Sequence, residues 1–519
     1  MTFQLIVTRA ASTGGTMRST KHMLATPRLM ACALVASAIA ATPAAAMVTH
    51  ASDTTTSASR PPAARDASDA YRAYIASIQN GEPAAGANYA AAKVKKIPAF
   101  ARKYGLRCSA CHTAWPELNS FGQAFRDNGY QLKNEKDSPI AQSNGYIPIT
   151  VRVTPQFHVE RATKQLVDAT PGDASSGQAE RTLTSHGFDL SGMDLWTAGT
   201  LWKNVSFVAL LSSDNLASFH FEAVSLRFDN LADNPWLNLK IGKFELDNMI
   251  SEKRFLFLSD NGGVYQTYHF SAPGSSVDFG IGDNQLGAEL SGHSLNSYTR
   301  YSVAVLSSND GDPSSNNFSS YDANFNFSQA FDGGKMGVER IGAYAYIGQR
   351  PTTFETSDGD PIAGTGSNRK TFYRAGFVGD FFLHKLEFLP YYLHGNDNAW
   401  LAAGTGANEP LPDGARDASW NGGFLETHYH LNPQLVFTQR VEAIRMSQQA
   451  FSDMPKTLGN IDAYSFGTRW YPFMFSRAGL ALHGEYSLVK TVTGGQLPTE
   501  GPTINVWTSS LLFALDFDF

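Results

Sequence analysis

Beyond its first fifty positions the sequence has no apolar run of about twenty residues, so nothing there could cross a bilayer as a helix. That absence leaves a membrane protein open, because a β-barrel hides its lipid-facing side chains in alternation with polar ones. Charge is scarce too, at 17% of 519 residues, with a net charge of −6. With no basic excess, the composition gives no reason to expect nucleic acid as a partner. Neither a phosphate-cradling glycine loop nor a nucleophile elbow occurs, so nothing suggests nucleotide-dependent or hydrolytic catalysis. Cysteine is nearly absent, at three residues. What the chain does have is a 42% hydrophobic fraction, 45 glycines and 12% aromatic residues, enough apolar surface for a large fold.

Two of the three cysteines stand together, in Arg107-Cys108-Ser109-Ala110-Cys111-His112-Thr113. Cys-x-x-Cys-His is the attachment signature of a c-type haem. Two thiols three positions apart on a helical turn reach the two vinyl groups of the porphyrin and form thioethers. The adjacent imidazole of His112 is thereby held under the iron as proximal ligand. A zinc half-site would want a second ligand pair, and the third cysteine, Cys32, falls in a segment expected to be removed. A thioredoxin-like dithiol would want a βαβ setting, which the surrounding sequence does not offer. The histidine after the second cysteine decides for one covalent haem c.

The rest of the chain fits that reading. Arg18, Lys21, His22 and Arg28 precede an apolar segment, Leu29 to Ala41, that ends in Thr42-Pro43-Ala44-Ala45-Ala46. Residues 1–46 therefore read as a secretory signal with a small-residue cleavage site, and Met17 or Met23 is the better initiator. Export suits the cofactor, because thioether attachment occurs outside the bacterial cytoplasm. Residues 47–96 form a leader, rich at first in Ser, Thr, Ala and Pro. A short amphipathic helix is expected within it, over 66–80, with Tyr71, Tyr74, Ile75 and Ile78 on one face. Residues 97–146 are the haem segment. Pro116 suits the first turn of a helix and Gly129 its end. Leu118, Phe121 and Phe125 share a face and, with Phe100, can cover a porphyrin, while Gly122 permits close approach.

The series Pro98-Ala99-Phe100-Ala101-Arg102, the haem site, Pro116-Glu117-Leu118-Asn119, Phe121-Gly122, Phe125 and Asn128-Gly129-Tyr130 resembles the fused cytochrome–porins. These are outer-membrane monohaem cytochromes of iron-oxidising bacteria, with an N-terminal haem segment joined to a barrel. The specific likeness covers about thirty-five residues. It implies oxidation of extracellular Fe(II) and passage of the electron inward to a periplasmic cytochrome or another soluble carrier.

Residues 147–519 read independently as a mostly β domain, an outer-membrane antiparallel β-barrel. Ile149, Val151, Val153, Phe157 and Val159 alternate with Thr150, Arg152, Thr154, Gln156, His158 and Glu160, as a strand with a wet lumen requires. Strands are expected to begin near 147, 184, 202, 219, 236, 284, 298, 319, 336, 371, 385, 419, 433, 461, 478 and 504, about sixteen in all. Long polar connections (161–182, 247–283, 308–318, 349–370, 397–418, 447–460 and 491–503) alternate with short turns such as His384-Lys385. That asymmetry, with both chain ends on the periplasmic side, is usual in such barrels. The alternating end, Leu511 to Phe519, resembles the terminal strand read by the outer-membrane insertion machinery. A soluble exported sandwich is the bland alternative. Residues 254–270 either fold into the pore as a constriction or hide two further strands.

The sixth iron ligand is open. No methionine lies between His112 and Met193. His158 is the first candidate, since strand alternation points it into the lumen. Its competitors are His186, Met193 and His50, or a position left open. Acidic residues of the outer loops (Asp310 and Asp312; Glu355, Asp358 and Asp360; Glu409, Asp413 and Asp417) either attract a passing ferrous ion with hard oxygen ligands or are solvated loop charges. Three functions follow: electron transfer from external Fe(II), the same chemistry with another external donor or acceptor, or a solute porin with a haem-bearing plug.

Overall fold

The computed structural model describes residues 99–518 apart from 105, 107, 115, 133–148, 214–217, 251–257, 260, 276, 278, 309–319, 335, 352–368, 404–410, 450–453, 475–478 and 495–502. The signal, the leader with its helix, and His50 therefore lie outside the described residues. A small N-terminal unit comes first: α1 (Ala99–Tyr104), α2 (Cys108–Cys111), β1 (His112–Ala114), β2 (Glu117–Leu118) and α3 (Ser120–Asp127). Then come β3 (Ile149–Thr170), β4 (Asp173–Trp202), β5 (Val205–Ser213), β6 (His220–Phe228), β7 (Asn238–Glu245) and β8 (Asn284–His293). Next are β9 (Thr299–Ser307), β10 (Tyr321–Asp332), β11 (Val338–Pro351), β12 (Arg369–Leu383) and β13 (Leu386–Asp397). The chain ends with β14 (Ala418–Asn432), β15 (Leu435–Gln448), β16 (Ile461–Met474), β17 (Gly479–Thr493) and β18 (Ile504–Asp518).

Among the described residues the sixteen strands β3 to β18 pair with their sequence neighbours, and β18 pairs back on β3 to close a barrel. Every pairing in it is antiparallel. Closure removes the unpaired strand edges an open sheet would present. The polarity is the reverse of a soluble protein's. Along β10, Tyr321, Phe325, Phe327 and Phe331 are exposed on the outside, while Asp322, Asn324, Asn326 and Ser328 are buried inside. The last strand repeats this, with Leu511, Phe513, Leu515 and Phe517 outward and Ser510, Leu512, Ala514 and Asp516 inward. Inward charges pair across the lumen wall, as in Arg350–Asp322 at 2.9 Å, Arg374–Asp397 at 2.6 Å and Arg469–Asp516.

The expected loop over 161–182 is a correction. Those residues continue β3 and β4 as one hairpin turning at 171–172, so the second strand begins at Asp173 rather than near 184. Neither face of the extension is consistently apolar or buried, which erased the alternation by which a strand is read.

Two segments fill the barrel. Among its described residues, 246–283 adds no strand. It folds inward as a constriction, burying Leu246, Met249, Tyr268, Val277 and Phe279 against Tyr346, Phe372, Tyr391 and Trp420 of the wall. Phe279 stacks on Tyr346 with centroids 4.0 Å apart. From the opposite end, where the connections are short, the N-terminal unit plugs the mouth. Lys103 donates to Thr200 Oγ1 at 3.0 Å, the Asn204 N–H donates to Gln131 Oε1 at 3.1 Å, and Asn230 donates to Asn128 Oδ1 at 3.1 Å.

Candidate functional site

The plug is organised by its cysteine turn. Cys108 to Cys111 form one turn of helix, and His112 opens the strand that follows. Asn119 ties this turn to α3: its Nδ2 donates to the Ala110 carbonyl at 3.2 Å, and its Oδ1 accepts from Gly122 N–H at 2.9 Å as the helix N-cap. Helix α3 thus starts at Ser120, after Asn119, four residues later than Pro116 in its first position would have placed it. Pro116 instead sits in the turn between β1 and β2. Gly129, at φ +71°, ends the helix as expected, with Tyr130 N–H donating back to the Phe125 carbonyl at 2.9 Å. A Cβ on Gly129 would lie 2.1 Å from the Asp229 carboxylate of the barrel, so only glycine allows this approach. Gly122 serves the same purpose inside the plug, where a Cβ would fall 2.1 Å from the Cys111 carbonyl oxygen.

His112 carries the most informative contact. Its Nδ1 lies 2.9 Å from the Pro116 carbonyl oxygen, which can only accept, so Nδ1 carries the proton and the ring is held in one orientation. Burial pushes the imidazole down to about 4, against the opposing pull of the Pro116 and Glu117 backbone, so its neutral form is favoured. Phe121 and Ala124 pack with Cys111, Leu106 and Leu132. Phe125 meets Phe100 edge-on at 5.3 Å, Phe100 stacks on Tyr130 at 4.9 Å, and Leu118 lies against the α3 backbone at Gly122. A neutral imidazole with one nitrogen committed, beside a Cys-x-x-Cys turn and an apolar set of this size, fits a covalently held porphyrin.

The structure separates the candidate sixth ligands. His158 faces the lumen, opposite Leu512 and Gly187. His186 is exposed and opposes Val159, on the outward face of the same strand pair. Met193 opposes Val153 on that outward face too, while its neighbour Asp194 turns inward to pair with Arg152. Neither His186 nor Met193 can reach a group inside the barrel. Of the acidic loop residues, Asp413 and Asp417 lie within the described residues. Asp417 accepts from Ala399 N–H at 2.8 Å, at the start of the short helix α4 (Ala399–Ala402), a local structural role.

Charge holds the plug in place. Arg227 of β6 donates to the Arg126 carbonyl at 3.0 Å and to the Asp127 carbonyl, placing a cation at the negative end of α3. Arg300 of β9 reaches Asp127 at 2.9 Å and Asp247, at the root of the inward loop, at 2.8 Å. Burial alone would raise the Asp127 carboxyl, but Arg300, with smaller help from His293, Arg126 and Arg227, holds it well below the ordinary carboxylate range.

Sequence reasoning missed a second cluster. Glu117 of the plug meets Glu387 of β13 and His428 and His430 of β14, all buried, with one ligating atom of each within 4.8 Å of all the others. Glu426-x-His428-x-His430 puts three ionisable side chains on one face of a strand, a signal that was present in the sequence.

No family model matches the chain, and no curated protein matches it. Among solved structures it is similar to the outer membrane channel DcaP of Acinetobacter baumannii, at 12% identity over 71% of this chain and 96% of that one, TM-score 0.43. It is likewise similar to an anion-selective porin from Comamonas acidovorans (9% identity, 71% and 99% covered, TM-score 0.42). OmpT of Vibrio cholerae, folded in vitro, matches at 12% identity over 73% of this chain and 99% of that one, TM-score 0.38. Likenesses this distant carry nothing about function, and the barrel stands on its own strand pairing.

Proposed function

We propose that the chain is an outer-membrane electron-transfer protein of the fused cytochrome–porin kind, in which a c-type haem on the plug accepts electrons from external Fe(II) and passes them to a periplasmic carrier. Outer-membrane location is supported by the apolar exterior and polar lumen of a closed sixteen-stranded barrel. The short-turn mouth that the plug occupies would face the periplasm. The observation that carries the haem is the His112 contact: in the residue that follows the Cys108–Cys111 turn, Nδ1 lies 2.9 Å from the Pro116 carbonyl, the kind of backbone partner that orients a ligating imidazole. Cys108 and Cys111 would hold the group covalently, His112 would ligate it, and Phe100, Leu118, Phe121 and Phe125 would cover it. His158 would remain the candidate sixth ligand, since it faces the lumen. When bound, a haem supplies a one-electron couple at its iron. The chain's own residues keep His112 neutral, exclude water with the aromatic set, and fasten the plug through Arg227 and Arg300.

A solute porin with a haem-bearing plug is the second reading, favoured by the inward loop at 246–283, which narrows the lumen as a pore constriction would. Stopped-flow visible spectroscopy separates them. Oxidised, detergent-solubilised protein mixed with Fe(II) should develop the reduced α-band promptly. A haem reduced by dithionite but left oxidised by Fe(II) would exclude ferrous iron as the donor, and a matured chain without haem would leave the porin reading.

A further inference from the structure

We propose that Glu117, Glu387, His428 and His430 form a binding site for one divalent first-row transition-metal ion at the seam between plug and barrel. Three ligands come from the wall. Glu387 and His428 are direct register partners across β13 and β14, and His430 is the next residue on the same inward face. The fourth, Glu117, comes from the plug, five residues after His112. The converging atoms are Glu117 Oε2, Glu387 Oε2, His428 Nδ1 and His430 Nε2: His428 Nδ1 stands 3.1 Å from Glu387 and 3.3 Å from Glu117, and His430 Nε2 stands 3.0 Å and 3.6 Å from the same two oxygens.

The second nitrogen of His428 supplies independent support. His428 Nε2 lies 2.6 Å from Glu426 Oε1, and Glu426 is itself held by Arg440 at 3.0 Å and by the Tyr265 hydroxyl at 3.0 Å. A carboxylate on the outer nitrogen fixes the tautomer of a ligating histidine and aims its other lone pair inward. Nδ1 then points at two carboxylate oxygens, and a cation among the three atoms would be held by all of them. Two carboxylates with two neutral imidazoles match the charge of a divalent ion, and mixed nitrogen and oxygen donors suit iron, zinc or nickel better than calcium or magnesium. The rival account is an imidazolium at His428 bridging the carboxylates with no metal. The metal site stands on its ligands; only its assignment to the donor Fe(II) rests on the electron-transfer reading.

The test is calorimetric titration of the haem-loaded, detergent-solubilised full chain with Zn(II) at neutral pH. One equivalent should bind per chain, and His430→Gln or Glu387→Gln should weaken it about tenfold or more. Glu117→Gln should do the same from the plug side, leaving the barrel wall untouched, with far-UV circular dichroism showing each variant folded. Absence of a saturable site, or one of equal strength in all three folded variants, overturns the proposal in favour of the imidazolium network. Displacement of Zn(II) by anaerobic Fe(II) supports the site as the donor's. Fe(II) that displaces Zn(II) yet leaves the haem oxidised supports the site and removes the electron-transfer reading.

Discussion

The two segments that fill the barrel differ in how much aromatic burial they add to their polar bonds with the wall. The inward loop combines aromatic burial with polar bonds: Phe279, Tyr346 and Phe372 form one packed group and Tyr268, Tyr391 and Phe424 another, while Arg440 donates to the carbonyls of Gly262, Gly263 and Val264, and Glu442 accepts from Gln266 and Thr267 N–H. The plug touches the wall chiefly through charges and amides: Arg227, Arg300, Asn230, Lys103 and the Glu117 cluster. Its apolar contact with the wall includes Ala114 on Val436, at the start of β15. Aromatic burial makes the loop part of the barrel's own interior. Polar docking makes the plug a guest, placed by a few directional bonds. Arg300 is where they meet, since it pairs with Asp127 of the plug and Asp247 of the loop.

Breaking that shared point should have the largest effect. Arg300→Met leaves two buried carboxylates without their cation, at a cost of about 3–5 kcal/mol. Amide hydrogen exchange over 99–132 should then rise sharply, and the double variant with Asp127→Asn should recover part of it. The pH dependence has a definite sign. A carboxyl depressed in the folded state stabilises docking above the ordinary carboxylate range, near about 4, and loses that as pH falls through its lowered value. Plug exchange in the unaltered protein should therefore stay slow across that range and accelerate only in stronger acid.

Next in size is Phe279→Ala, worth about 3 kcal/mol or more locally. It should raise single-channel conductance while plug exchange stays unchanged, which would sharpen the contrast. Equal loosening of both segments would dissolve it. Smallest is Gly122→Ala, whose added methyl must push α3 away from the Cys111 carbonyl at a cost of about 1–3 kcal/mol. The expected outcome is a lower haem-to-protein ratio by pyridine haemochrome spectrum, with the barrel's thermal stability unaltered.

Much of this architecture was legible residue by residue. Fifteen of the sixteen strands begin within three residues of where alternation puts them, because a wall with one apolar and one polar face writes period two into the sequence. The β3–β4 extension was lost because neither of its faces is apolar. The Cys108–Cys111–His112 unit is local and could be read directly. The whole Glu117 cluster could not, because Glu117 lies 270 residues or more before Glu387, His428 and His430 and meets them only where the plug enters the barrel. His428 and His430 also alternate just as any polar lumen residues would. The same face rule that favoured His158 removes Met193 and His186, a distinction that needed the register of β3 on β4.

The most direct test places the protein in liposomes that enclose a soluble c-type cytochrome and a small fluorescent dye, with Fe(II) added outside. If the proposed function is right, the enclosed cytochrome is reduced while the dye stays inside, because the plug and the inward loop narrow the lumen and the electron would travel by the haem. Dye escaping in step with cytochrome reduction, or no reduction at all, would contradict it.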